Sequence, residues 1–344
     1  MNGKSVLIIY TGGTIGMMKD PETDRLKPFD FEQINKQVPE LNRFAHRIDT
    51  ASFGKPIDSS NMGPSTLIEL ANIIQENYDN YDGFVILHGC DTMAYTASAL
   101  SFMLQNLSKP IVLTGSQLPI GTIRTDGKEN LITAIEIACA SNNNYPIVPE
   151  VVIYFEYQLY RGNRTTKTNT EHFNAFESYN YPKLAQAGIE IKYNYKYLRS
   201  VKSIVQKPLI VHTNMNSNVG VLKLFPGINK KQIMHFLDTP DLVAVVLETF
   251  GSGNAPSHQW FRETLQYGVE KGIVFTNVSQ CQAGSVKQGK YETSSAFDDF
   301  GVLSGRDMTT EATVTKLMHL FGKYDDVETI KQKFSEPICG EITL

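Results

Sequence analysis

The 344-residue sequence has no apolar run long enough to span a bilayer, so no transmembrane helix organises it. It also lacks a basic excess: 32 Lys and Arg stand against 36 Asp and Glu, a net charge of -4. That balance leaves no electrostatic footprint for nucleic acid, and no basic amphipathic stretch lies ready for a membrane surface. Cysteine is scarce. Cys90, Cys139, Cys281 and Cys339 are far apart and form no Cys-x-x-Cys pair. This argues against a zinc site and for free thiols in a reducing compartment. The apolar start at 6–10 is too short for a signal-peptide core and leads into a glycine turn, not a cleavage site. A cytoplasmic protein is expected.

The composition, 41% hydrophobic and 20% charged, is that of an ordinary globular protein, and its length predicts two domains. Strand-like β-branched runs alternate with helical patterns, which predicts α/β architecture with mostly parallel sheets. Strands are predicted at 5–10, 84–88, 111–114 and 151–155, with helices at 65–77, 92–104 and 130–140 between them. The second half repeats the alternation, with strands at 209–212, 219–225, 242–247 and 273–278 and helices at 229–237, 257–270, 309–321 and 327–334. A polar, aromatic stretch around 192–200 has neither periodicity and reads as a linker. The expected division is a domain at 1–190 carrying the site, a linker at 191–207 and a smaller α/β domain at 208–344.

In open parallel sheets ligands bind beyond the carboxyl ends of the strands. Five polar loops fall at or near such positions. Thr11-Gly12-Gly13-Thr14-Ile15 follows the first strand, and Gly89-Cys90-Asp91-Thr92 follows the second just before a helix. Gly115-Ser116-Gln117 follows the third, and the fourth leads to a charged loop containing Thr166 and Lys167. The loop Ile57-Asp58-Ser59-Ser60-Asn61 precedes a helix. A hydroxyl on a glycine turn, a lysine and carboxylates suit acyl transfer, because a hydroxyl becomes a nucleophile only when a neighbour takes its proton. Lys167, if desolvated, would fall towards a neutral amine able to carry that proton. Each residue also has a local explanation: Asp91 or Thr92 as a helix cap, Ser59 and Ser60 as turn residues, Lys167 as a solvated side chain. Their coincidence at successive strand ends favours a site.

These stretches resemble the L-asparaginases of the bacterial cytoplasmic type (type I). The resemblance rests on Thr11-Gly12-Gly13-Thr14-Ile15-Gly16, on the long run from Gly83 to Thr96 around His88-Gly89-Cys90-Asp91-Thr92, and on Asp58-Ser59-Ser60. Thr114-Gly115-Ser116-Gln117, the stretch from Tyr160 to Lys167 and Gly251-Ser252-Gly253-Asn254 extend it along nearly the whole chain. It implies a larger flavodoxin-like amino-terminal domain, a smaller carboxyl-terminal α/β domain and a tetramer built as a dimer of dimers. It implies hydrolysis of asparagine to aspartate and ammonia without metal or cofactor. Thr14 matches the family's nucleophile, which forms a β-aspartyl ester. Asp91 and Lys167 match two members of a supporting Thr-Asp-Lys set, with Asp91 also holding the substrate ammonium. Ser59 matches the residue that grips the substrate carboxylate, flanked by Asp58 and Ser60. The backbone near Cys90 and Ser116 would contact the amide, and Asn254 would reach the neighbouring subunit's site.

This sequence departs from the family at three places. Cys90 stands where the family has the threonine nearest the lysine, and a thiol is larger, a weaker donor and more acidic. Beside Lys167 it could ionise, so three outcomes are open: the thiol replaces the hydroxyl, impairs the site, or becomes the nucleophile. Glu248 replaces an arginine that binds an activating asparagine in some members. Thr166 and Cys281 match other positions of that effector site, but a carboxylate there argues against activation. The stretch Thr23-Asp24-Arg25-Leu26-Lys27 lacks the tyrosine that assists the nucleophile in many members. The alternatives are a glutaminase-asparaginase or a D-amino-acid variant, since one methylene discriminates modestly, and a non-catalytic amino-acid sensor disabled by Cys90. The amidase subunit of a transfer-RNA amidotransferase is disfavoured, because no room is left for an extra domain before Thr11.

Overall fold

The computed structural model describes residues 3–19, 26–28, 37–201, 207–288 and 297–343. Two compact units divide the chain, Met1–Thr213 and Asn214–Leu344. Among the described residues no helix is long and apolar enough to cross a membrane.

Unit 1 is built on an eight-stranded sheet. Its strands β1 (Ser5–Tyr10), β2 (Arg47–Ser52), β3 (Gly83–Leu87), β4 (Ile111–Thr114) and β5 (Val151–Phe155) run parallel. Next comes the antiparallel β6 (Gln158–Arg161), then a small hairpin of β7 (Thr166–Lys167) and β8 (Phe176–Glu177) outside the sheet. The edge strands β9 (Ala185–Gln186) and β10 (Lys192–Tyr193) complete the sheet, whose order is β10-β9-β6-β5-β4-β3-β1-β2. Three helices connect the parallel strands: α1 (Pro64–Asn77), α2 (Met93–Met103) and α3 (Gly127–Cys139). Strands covered on both faces read as unbroken apolar runs, which is why β1, β3, β4 and β5 stood out in the sequence. Val6, Ile8 and Tyr10 pack with Leu131, Ala134, Ile135 and Ala138 of α3 in one core. Leu7 and Ile9 alternate to the opposite face and are equally buried.

Unit 2 holds a parallel sheet of β11 (Val219–Lys223), β12 (Ala244–Thr249), β13 (Val274–Ser279) and β14 (Leu303–Ser304), in that order. On one face Val245, Leu247 and Phe275 meet α4 (Lys230–Leu237) and α5 (Gln259–Glu270). On the other, Ala244, Val246 and Val274 meet α6 (Thr310–Lys323) and α7 (Val327–Ser335).

Two expectations need correction. The aperiodic stretch read as a linker contributes β10 to the sheet of unit 1, and the division falls at Thr213, beyond 191–207. The strand expected at 209–212 is only Ile210–Val211, paired with Leu104–Gln105 in unit 1. In addition, Lys167 does not follow directly from a parallel strand end. After β5 the chain reverses on Glu156 and Tyr157, and Arg161 at the end of β6 lies opposite Val152, at the start of β5. The chain then returns along α2, with Gly162 packed against Ala97, before Lys167 is delivered.

Candidate active site

Gly12 and Gly13, at φ 137° and 89°, bend the chain away from β1 in conformations that a residue with Cβ rarely adopts. Thr11 anchors the turn below, its N–H and hydroxyl both donating to the Leu87 carbonyl of β3 at 3.1 and 3.0 Å. Gly12 lies against the backbone of Ile57, whose N–H donates to Thr11 O at 2.8 Å. Gly13 lies against Gly89: a Cβ on Gly13 would sit 2.5 Å from Gly89 N. A Cβ on Gly89 would in turn sit 2.6 Å from Ser59 Oγ. The Thr14 loop therefore meets the other two backbone to backbone, the Ser59 side chain closes the third contact, and Thr14, half-buried, opens the short 3-10 turn Thr14–Gly16 at their junction.

Around this junction the remaining residues fall into two groups. Ser59 is buried, and its carbonyl accepts the Thr92 hydroxyl at 2.7 Å. Thr92 begins α2 but does not cap it with its side chain, so the local explanation fails for this residue. Asp58 caps the next turn, accepting the N–H and hydroxyl of Ser60, both at 2.9 Å. The backbone bond first, then the hydroxyl, holds the Asp58 carboxyl below its ordinary pKa. The Ser116 hydroxyl is buried and committed to the Leu118 carbonyl at 2.5 Å, which leaves the backbone of that loop as its contribution.

The second group is ionic. Lys167 Nζ lies 2.5 Å from Asp91 Oδ1; the lysine side chain is 16% exposed and the aspartate 66%. Lys167 also interacts with the Cys90 sulfur. Burial is the largest single influence on the lysine and opposes its charge, yet Asp91 and the Cys90 sulfur together outweigh it and hold the amine above its usual pKa. Burial likewise dominates at Cys90 and pushes the thiol up, with Lys167 lowering it by less. Both directions run opposite to two possibilities the sequence leaves open, a neutral lysine and an ionised thiol. In this arrangement Asp91 helps to keep the lysine a cation, and burial keeps the thiol neutral. The thiol sits 3.9 Å from Gln117 Oε1, a weak contact. Beside the pair, Asp91 and Lys167 line a cleft of about 530 Å³ with Thr168, Asn169, Thr170, Glu171 and His172.

Three supporting residues carried no sequence signal strong enough to be singled out. His88 is buried, its pKa pushed down to about 4 by burial, with the bond to Gly89 opposing. The neutral ring donates from Nδ1 to Gly89 O at 2.6 Å and accepts the Thr96 hydroxyl at Nε2, 2.9 Å away. Asp126 accepts the N–H groups of Gln117 and Leu118 at 2.9 and 3.2 Å. Asn130 Nδ2 donates to Gly115 O at 3.0 Å. Asp126 and Asn130 stand four apart at the start of α3, and that spacing was the legible hint.

The expected effector and lid residues are distributed over both units, and some fall outside the described residues. Thr166 is half-buried beside Lys167 on β7. In unit 2, Glu248 accepts the Thr310 hydroxyl at 2.7 Å and lies 3.6 Å from Lys223. Cys281 is exposed, and all four cysteines are free thiols. Asn254 closes a tight turn, its N–H donating to Phe250 O at 2.8 Å. Thr23, Asp24 and Arg25 lie outside the described residues. Leu26 and Lys27 belong to a short strand, Leu26–Pro28, paired with Met17–Lys19. Among the described residues no group of three or more His, Cys, Asp or Glu could hold a metal ion.

The family model described as "Asparaginase, N-terminal" matches residues 5–199, and "Glutaminase/Asparaginase C-terminal domain" matches 218–334. L-asparaginase 1 of Escherichia coli strain K12 is 42% identical over 344 residues, covering 100% of this chain and 99% of the relative. L-asparaginase I from Vibrio cholerae superposes with a TM-score of 0.89 at 39% identity, covering 99% of this chain and 100% of that one. The thermostable L-asparaginase from Thermococcus kodakarensis gives 0.88 at 31% identity, covering 98% and 99%. With both halves matched and the interlocked Thr14, Ser59 and Asp91 loops in place, the chain belongs to the asparaginase family.

Proposed function

We propose that this protein hydrolyses L-asparagine to L-aspartate and ammonia, with Thr14 as the nucleophile. The supporting observation is the backbone contact of Gly13 with Gly89, which sets the Thr14 turn beside the loop carrying Cys90 and Asp91. Thr14 Oγ1 attacks the carboxamide carbon, the C–N bond breaks, and ammonia leaves with the hydroxyl proton. Lys167 starts as a cation, so it acts first as an acid: it gives a proton to the departing nitrogen and regains one from the threonine. Asp91 keeps the lysine charged and in place, and its exposed side accepts the α-ammonium of the substrate. Ser59 grips the α-carboxylate, and Asp58 fixes its turn. Backbone N–H groups near Cys90 and Ser116 face the amide oxygen as its charge develops. Water then cleaves the β-aspartyl ester. In this reading Cys90 is a neutral spacer between Lys167 and Gln117, not a nucleophile.

The protein acts in the cytoplasm as a dimer of dimers, with Asn254 completing a neighbour's site. Activation by asparagine is not expected, because Glu248 is matched within its own unit by Lys223 and Thr310. Glutamine is a second substrate in this reading, favoured by the description of the carboxyl-terminal family model. The test is ammonia release from asparagine. Thr14→Ala should lose activity by about three orders of magnitude or more while keeping its fold; a fully active variant would remove Thr14 from the mechanism.

A further inference from the structure

The Thr14 turn is held on several sides by backbone: Thr11 on β3, Gly13 on Gly89, and Ile15 O accepting Ile120 N–H at 3.3 Å. From beneath, it is held by a side chain. Tyr10, the last residue of β1, is 2% exposed, and its hydroxyl donates to Gly16 O at 3.1 Å. Its ring also fills the space under the turn. A Cβ on Gly16 would lie 2.2 Å from Tyr10 Cζ and 2.3 Å from its oxygen. The ring cannot yield, because it is packed in the core with Val6, Ile8 and Ile15. Burial pushes the phenol up to about 12, so it remains a donor throughout the neutral range.

Resting on the reading of Thr14 as nucleophile, we propose that Tyr10 is a positioning residue, its hydroxyl fixing the height of the Thr14 turn through the Gly16 carbonyl. Thr14 and Gly16 share one turn of 3-10 geometry, closed by Gly16 N–H on Gly13 O at 3.2 Å. Moving the Gly16 carbonyl therefore tilts the whole turn, and with it the Thr14 hydroxyl. The groups proposed to bind substrate, Ser59 and Asp91, belong to other loops and do not depend on this bond. The role predicts a loss in the chemical step with binding intact. A displacement of about 1 Å of a reacting group costs on the order of a hundredfold in rate.

The experiment compares wild type, Tyr10→Phe, Tyr10→4-aminophenylalanine and Thr14→Ala, with kcat and KM for asparagine measured separately and thermal unfolding alongside. Tyr10→Phe keeps the ring and should lower kcat by about ten- to a hundredfold, with KM within about twofold. The 4-amino variant restores a donor at the same place and should recover most of kcat, which a purely packing role would not require. A wild-type kcat in Tyr10→Phe, a parallel loss of kcat, KM and fold, or no recovery with the amino group would each overturn the proposal. Activity in Thr14→Ala would overturn the nucleophile assignment. An inactive Thr14→Ala beside a fully active Tyr10→Phe would sink the positioning role alone.

Discussion

At the carboxyl ends of the strands of unit 2, several of the described polar groups are matched by near neighbours. Glu248 takes the Thr310 hydroxyl and lies near Lys223, Ser279 Oγ donates to Gly251 O at 2.5 Å, and Gln280 Nε2 donates to Leu224 O and Glu248 O at 2.6 and 2.8 Å. The corresponding rim of unit 1 is tied differently. There backbone carries the joints, Gly12 on Ile57 and Gly13 on Gly89, while the Thr14 side chain stays half-buried and the exposed Asp91 pairs with Lys167. Both rims descend from open parallel sheets, so the strand-end rule applies equally to each. What separates them is spare valence. A loop held largely by its own backbone frees side chains for a ligand, whereas side chains already bonded within the rim, such as Glu248, Ser279 and Gln280, are spent.

The sharpest break in this comparison is at the ionic pair of unit 1. Lys167→Met removes the proposed acid and leaves Asp91 without its cation. Activity should fall by roughly two to four orders of magnitude, the range of a general acid, while the unfolding temperature moves little because Asp91 is exposed. Steady-state ammonia release and a thermal melt on the same preparations check both halves. A variant retaining half of the wild-type rate would mean that the pair merely holds the β7–β8 hairpin.

A smaller effect concerns the buried His88 of unit 1. The native imidazole has a pKa of about 4 against an ordinary 6.5. The unfolded chain therefore binds a proton more readily between these values, and stability from this group is full above pH 6.5 and is lost as pH falls through 4. The loss amounts to about 3 kcal/mol, on the order of 1.4 kcal/mol per unit. Urea unfolding of unit 1 from pH 7 to 4 should be steeper in wild type than in His88→Gln. Parallel curves would show that His88 does not titrate on unfolding as its burial requires.

Much of this was legible in the sequence, and the failures have physical causes. β1, β4 and β5 were found to the residue because strands covered on both faces need continuous apolar runs between polar loops. β10 was missed because a two-residue edge strand needs no periodicity. The path of Lys167 was missed because the β5–β6 hairpin turns on Glu156 and Tyr157, at φ 44° and 64°, where glycine or asparagine would have announced it. The sequence places the proposed site residues on neighbouring loops, but it does not give their charge states. A lysine and a thiol drawn together on paper appear to share one proton, but Asp91 is the nearer partner, and burial acts on both groups. Tyr10 looked like one more apolar strand residue, since nothing in the sequence couples position 10 to the absent side chain at 16.

Cys90→Thr tests the charge assignment with a smaller change. A hydroxyl in place of a neutral thiol shortens the contact to Gln117 and donates better, so turnover should be kept or rise by up to about tenfold, roughly one good hydrogen bond. Alkylation of Cys90 in the wild type should inhibit by bulk alone, and Cys90→Thr should resist it. Loss of all activity in Cys90→Thr would make the thiol the nucleophile, against the upward push of its burial.

The smallest expected effect returns to unit 2. If its rim offers no spare valence, Glu248→Gln should leave the rate and its dependence on asparagine concentration unchanged. The amide still accepts from Thr310, and the exposed Lys223, 65% accessible, loses a 3.6 Å contact that is worth little in water. A sigmoidal rate curve appearing only in Glu248→Gln would be more informative than no change. It would mean that the carboxylate repels an amino-acid ligand from a pocket that still exists, and that the two rims differ by one charge and not by their construction.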